Sequence, residues 1–140
     1  MAAVSAVQIE IEERLRSHAE ALSRQDMDGV LDLFASSAVM NLANTEPLSG
    51  MQELREFFER LFAAMHVGAG RFFTEELYLY DAIAFHFGTY EFTSAQTGDV
   101  QEKGGFAIVW RRQRDGSWRY RRGILNSSLP RSPWTALPPT

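Results

Sequence analysis

The chain contains no cysteine, which excludes disulfides, thiol nucleophiles and thiolate metal sites. Histidine is almost as scarce: His18, His66 and His86 are the three in 140 residues, none at ligand spacing from another, so no metal site is expected. Positive charge is in deficit. Fourteen Lys and Arg against 18 Asp and Glu leave a net charge of −4, the wrong sign for a domain that draws nucleic acid by its field. No uncharged apolar run approaches the roughly 18 residues of a membrane span, and no glycine-rich nucleotide fingerprint occurs, so neither a membrane nor a nicotinamide or flavin cofactor is expected. The first 20 residues lack the basic-then-apolar order of a secretory signal, because Glu10, Glu12 and Glu13 interrupt the apolar positions; the expectation is a cytoplasmic protein. Proline is missing from almost the whole chain, four of the five residues lying in the last twelve, LPRSPWTALPPT. The expected organisation is therefore one domain over 1–128 and a proline-rich surface tail over 129–140.

What is present is a helical period followed by a strand period. Val4, Val7, Ile11, Leu15, His18 and Leu22 step by three and four along one helix face, with His18 its single polar member. Asp26 is placed to cap a short second helix that carries Met27, Val30, Leu31 and Phe34. After an extended AVMNL, Ser49 and Gln52 can form a capping box for a third helix with Leu54, Phe57, Phe58, Leu61, Phe62 and Met65 on its inner face. From residue 71 the period changes to two. RFFTEELYLY, IAFHFGTYEFT, GGFAIVWRRQ and WRYRRGILNSS read as four strands of an antiparallel meander, with the polar QTGDVQEK as one separator. Three helices covering one face of a strongly curved antiparallel sheet form an α+β plan, naturally a closed cone.

The stretch WRRQRDGSWRYRR sets six arginines and three aromatics around one Asp-Gly. A three-residue loop, Arg114-Asp115-Gly116 with Gly116 left-handed, pairs Arg112 with Trp118, Trp110 with Tyr120, and Ile108 with Arg122. That register sorts Phe106, Ile108, Trp110, Tyr120, Arg122 and Ile124 onto one face and the remaining arginines onto the other. Arg122 is then an isolated cation inside the cone. It needs a carboxylate such as Glu91 or Glu76, an aromatic stack or an anionic ligand.

LSRQDMDGVLDLFASSAVMNL, PLSGMQELREFFERLF and GGFAIVWRRQRDGSWRYRRGILNSSLP together resemble the SnoaL-like and ketosteroid-isomerase-like branch of the nuclear transport factor 2-like superfamily, over roughly residues 7 to 130. The resemblance implies a cone-shaped barrel with a pocket between helices and concave sheet, and a homodimer formed through the sheet. In ketosteroid isomerase, a worked case of carboxylate tuning, an Asp base faces an oxyanion hole of a Tyr and a protonated Asp. Here the base position falls on Asn41 and Leu42, the Tyr position on His18 and the protonated Asp near Ile108, so the isomerase set is not reproduced. The superfamily holds isomerases, polyketide cyclases, dehydratases, epoxide hydrolases and binding modules, and fold alone does not choose among them.

Two readings follow. In the first, a cofactor-free enzyme or binding protein takes a small hydrophobic carbonyl or polyketide-like molecule. His18 acts as acid/base or hydrogen-bond donor and Arg122 stabilises negative charge, while Asn41, Trp110 and Tyr120 orient the substrate and Phe58, Phe62, Tyr78 and Glu91 complete the binding set. In the second, the chain is a non-catalytic dimeric module with a filled core and His18 is bonded to a backbone carbonyl. A cavity of a few hundred Å³ reaching His18 and Arg122 separates the two.

Overall fold

The computed structural model describes residues 2–134 and Leu137, with side chains from residue 6 onward. The side chain of Val4 in the helical stripe and tail residues 135, 136 and 138–140 lie outside the described residues. Helix α1 (Ala2–Arg24) buries Ile11, Leu15, His18 and Leu22, as its period requires. It stops at Gln25, whose φ of +54° lets Gln25 N–H return to Leu22 O and Asp26 N–H to Ala21 O, a Schellman closure. Asp26 then caps α2 (Met27–Leu31) by accepting the Gly29 N–H at 3.2 Å.

Helix α3 (Gly50–Ala64) buries Leu54, Phe57, Phe58 and Leu61. Its expected capping box is not formed. Ser49 makes no side-chain cap bond, and Glu53 rather than Gln52 reaches back, accepting the Ser49 N–H at 2.8 Å. The reason is Gly50, which at φ +83° is not helical and delays the first turn by one residue.

Strands β1 (Phe34–Leu42), β2 (Leu48–Ser49), β3 (Val67–Tyr80), β4 (Ile83–Ser94), β5 (Val100–Arg112) and β6 (Trp118–Ser127) form one sheet ordered β2-β1-β6-β5-β4-β3. It is open rather than closed, with β2 and β3 as its edges. One pair is parallel, β1 with β6, because the chain crosses between them through α3 and the meander. The helices fill the concave face. Along β4, Ala84, His86, Tyr90 and Phe92 point into the core, while Ile83, Phe85 and Phe87 alternate outward.

The last hairpin follows the parity reading at its tip and departs from it further down. Gly116 has φ +90°, Arg112 pairs with Trp118 and Trp110 with Tyr120, as expected. A bulge at Arg121 then shifts the register, so Ile108 meets Gly123 and Arg122 meets Val109. An inserted residue reverses the side of everything beyond it. Arg122 is accordingly exposed on the convex face, which corrects its expected place inside the cone. Arg119 bonds the Asp32 carboxylate at 2.9 Å and Arg121 the Ser37 carbonyl at 2.9 Å, so both tie β6 to the α2–β1 segment.

The expected surface tail is also corrected in part. Ser132 and Trp134 are buried, because the chain after β6 folds back against the sheet, where the indole packs on Phe92 and Ser132 bonds Glu102.

Candidate functional site

The cone is lined mainly by aromatic and aliphatic side chains because the inward positions are Phe106, Ile108 and Trp110 on β5 and Tyr90 and Phe92 on β4; His18, His86 and Glu102 are the polar groups set among them. What remains open is a cavity of about 30 Å³, bounded by His18, Met40, Phe58, Phe72, Phe92 and Trp134, among others. That volume accommodates about one water molecule. It reaches His18 and not Arg122.

His18 projects from α1 against the edges of Phe34 and Phe58, with ring centroids 5.7 and 5.9 Å away. Its Nδ1–H donates to the Val30 carbonyl at 3.0 Å, a bond that fixes the tautomer, since a carbonyl can only accept. Nε2 is left as the unprotonated nitrogen. Burial lowers the His18 pKa to about 4, so the neutral ring prevails at physiological pH.

The second buried imidazole is His86 on β4. Trp110 donates its indole N–H to His86 Nδ1 at 3.2 Å, and because an indole can only donate, the His86 proton sits on Nε2. Nε2 lies 2.8 Å from Thr74 Oγ1, whose hydroxyl in turn donates to the Glu12 carboxylate at 2.7 Å. This chain ties β5, β4, β3 and α1 together. Burial lowers His86 to about 4, against the attraction of Glu12.

Glu102 is the one fully buried carboxylate among the described residues, and the sequence reading missed it within the polar separator. Its signal was available: strand alternation carried backward from Trp110 through Ile108, Phe106 and Gly104 arrives at Glu102 on the inner face. The carboxylate accepts the Ser127 hydroxyl at 2.6 Å, the Lys103 N–H at 3.0 Å and the Ser132 hydroxyl. Tyr90 bonds it as well, and burial together with Glu102 pushes the Tyr90 phenol upward.

The remaining predicted residues divide by face. Phe58 lines the cavity, and Phe62 packs against the core without reaching it. Trp110 and Tyr120 are buried in the core, where Trp110 is committed to His86 and the Tyr120 hydroxyl is buried without a partner. Asn41 is half-buried and alternates away from the cavity, because its neighbours Met40 and Leu42 are the ones that line it. Tyr78 is exposed on the convex face and donates to Glu76 at 2.7 Å. Glu91 lies outward between the inward-facing Tyr90 and Phe92. Outside the cone, a cleft of about 580 Å³ lies at its mouth, floored by Leu42, Leu48, Phe57 and Trp134 and rimmed by Glu46, Glu53, Glu56 and Arg60. No group of three or more potential metal ligands occurs among the described residues, and none of their helices is long and apolar enough to cross a membrane.

Comparison with solved structures places this architecture. A ketosteroid isomerase-like protein from Erwinia carotovora atroseptica is 22% identical, with a TM-score of 0.70 over 87% of this chain and 96% of its own. A conserved protein from Planctomyces limnophilus is 18% identical, with a TM-score of 0.75 over 88% and 97% of the two chains. A nuclear transport factor 2-like superfamily protein from Salmonella enterica serovar Typhimurium is 18% identical, with a TM-score of 0.69 over 91% and 93%. Comparison with curated proteins returned no match. The profile of the SnoaL-like domain matches residues 15–121, which hold α1 from Leu15, α2, α3, β1 to β5 and the start of β6; the chain belongs to the SnoaL-like domain family.

Proposed function

We propose that the protein binds a small, mostly apolar molecule in the cone, where the cavity of about 30 Å³ has to widen into the mouth cleft to admit it, and that His18 meets it through Nε2 as hydrogen-bond or proton acceptor. The observation that carries this reading is the His18 tautomer: Nδ1–H is spent on Val30, and the ring borders an otherwise apolar cavity. The chemistry that suits a neutral imidazole in such a site is cofactor-free proton transfer on a carbonyl compound, of the isomerase or cyclase type. Its test is a thermal-shift screen of two- and three-ring aromatic ketones and phenols, repeated on His18→Gln. Glutamine can keep a donor toward Val30 but offers no lone-pair ring nitrogen. Affinity or turnover for a hit is expected to fall at least tenfold, about 1.4 kcal/mol; an unchanged value rejects the role of His18. Arg122→Met is expected to leave the same hit unaffected, because the arginine is on the other side of the sheet.

A second reading is favoured by the size of the cavity, about 30 Å³, and by Asn41 facing away from it: a non-catalytic module that associates with its own copy. Phe73, Tyr80, Phe85, Phe87 and Ile124 are exposed on the convex face, a concentration that suits burial by a second sheet. Light scattering is expected to give a homodimer, and Phe87→Glu a monomer at micromolar concentration. A wild-type monomer would remove this reading.

A further inference from the structure

The segment after β6 is bound to the cone in an unusual way. Its one backbone bond to the sheet among the described residues runs from Ser128 N–H to Lys103 O, and Pro130 and Pro133 have no N–H to add another. The rest of its attachment is by side chains. The Ser132 hydroxyl donates to Glu102 and the Trp134 indole N–H donates to Gln101 Oε1 at 3.3 Å, while within the segment the Trp134 backbone N–H donates to Ser132 Oγ at 3.2 Å. Yet Trp134 is 4% exposed, as buried as the core itself. Its ring packs on Phe92 with centroids 4.7 Å apart and planes at 44°.

Its position is that of a partition. The mouth cleft and the small inner cavity share Leu42, Phe57 and Trp134 as lining, so these three side chains stand between them, and of the three Trp134 alone belongs to the returning segment. The segment also lies beyond residue 121, where the match to the family ends. The shared domain is therefore closed by an element outside the matched region.

We infer that Trp134 is a displaceable occupant of the ligand site, held in the cone mouth by side-chain bonds and replaced when a flat, indole-sized aromatic molecule with one hydrogen-bond donor binds. This rests on the cone being a small-molecule site, as proposed above. The ligand chemistry is read from the side chain it replaces. The slot beside Phe92 accepts an aromatic face, and Gln101 Oε1 accepts the single N–H. Withdrawal of the segment joins the mouth cleft to the cavity at His18. It also takes the Ser132 donor from Glu102, leaving a buried acceptor that a ligand N–H, O–H or a bound water must satisfy. Closure by the chain's own indole keeps the apolar cone dry and its buried carboxylate bonded until a competitor arrives, a population shift between two occupants of one slot.

The test uses the full chain with Trp134→Gly and indole as the probe. The variant is expected to melt roughly 10 °C below wild type, as a vacated tryptophan site in a domain of this size implies. Saturating indole should return roughly 5 °C of that loss and shift wild type, where it must first displace Trp134, by a smaller amount of about 1 to 2 °C. 1-Methylindole, which lacks the donor, should bind about tenfold more weakly. Should Trp134→Gly fail to fold, Trp134→Leu, which keeps part of the packing, provides the same measurement. A folded variant that indole does not stabilise, or a wild type that indole does not shift at all, overturns the proposal, and equal affinity for 1-methylindole overturns its donor requirement. Combining His18→Gln with Trp134→Gly separates the two readings. Indole, whose one N–H goes to Gln101, should bind the double variant as well as the single one, whereas a ketone or phenol hit that also binds both equally rejects the imidazole role of His18 and keeps the displaceable tryptophan.

Discussion

Acidification from pH 6.5 to 4 is expected to cost the folded state about 3 kcal/mol for each of His18 and His86, beyond what the carboxylates contribute. Both are lowered from 6.5 to about 4, chiefly because burial penalises the imidazolium. In the unfolded chain both rings take up a proton near pH 6.5; in the fold they resist until about pH 4. The unfolded state therefore binds more protons throughout that window, so stability is fully present above it and is lost as the pH falls. Hydrogen bonding reinforces the effect at His86: Trp110 N–H occupies Nδ1, so protonation there must break a buried bond. Urea denaturation at half-unit pH steps measures the slope. His18→Gln and His86→Gln should each remove roughly half of it while lowering stability at pH 7.5, since the two rings share no hydrogen-bond partner. A double variant with the wild-type slope would show that the histidines are not responsible.

Gly88→Ala is expected to destabilise the protein by about 3 kcal/mol or more, at the severe end of overpacking. A Cβ at this position would stand 1.9 Å from the Phe73 carbonyl oxygen and 2.8 Å from the Phe106 ring. The ring can turn. The carbonyl cannot, because it belongs to the neighbouring strand at the point where Gly88 pairs with Thr74, beside the β3 bulge. Relief requires β3 and β4 to separate there, which would also move Thr74 away from His86 and undo the bonded chain to Glu12. Gly105→Ala is the matched control. The nearest atom its Cβ would meet is the Gly88 oxygen at 3.7 Å, an ordinary contact, so this variant should be neutral or up to about 0.5 kcal/mol more stable. Equal midpoints for the two variants in urea would contradict the packing argument.

The two histidines and Gly88 show how far the primary structure could be read. The burial of His18 was legible from helical period, since it stands in line with Ile11, Leu15 and Leu22. That such a ring bonds a backbone carbonyl was one of the two readings, but which carbonyl was not legible. Val30 lies twelve residues away on a separate helix, and only the return of the chain at Gln25 brings that carbonyl to the ring. Glu102 was legible in principle, because alternation along β5 continues through Gly104 into a stretch whose polarity disguised it as a loop. Trp134 was not legible at all. Prolines and a small-polar composition describe a surface tail equally well, and nothing local records that an aromatic slot beside Phe92 lies within its reach.

Arg122 marks the boundary most clearly. The turn at Gly116 and the pairing of Trp110 with Tyr120 are local, governed by a left-handed glycine and a two-residue period, and they read correctly from the chain alone. The bulge at Arg121 is not local. It arises where a strongly curved sheet must accommodate the parallel strand β1 on one side of β6 and β5 on the other, and a single inserted residue reverses every side chain beyond it. Composition and periodicity thus determined the class of fold, the helices that cover it and the apolar lining of the cone, because those follow from where hydrophobic residues recur. Tertiary structure alone decided the partners of the buried polar groups and the exceptions to the period: Val30 against His18, Ser132 against Glu102, Arg122 outside, and Trp134 across the mouth. Each depended on a bulge, a long-range hydrogen bond or a returning segment that pairs residues distant in the chain.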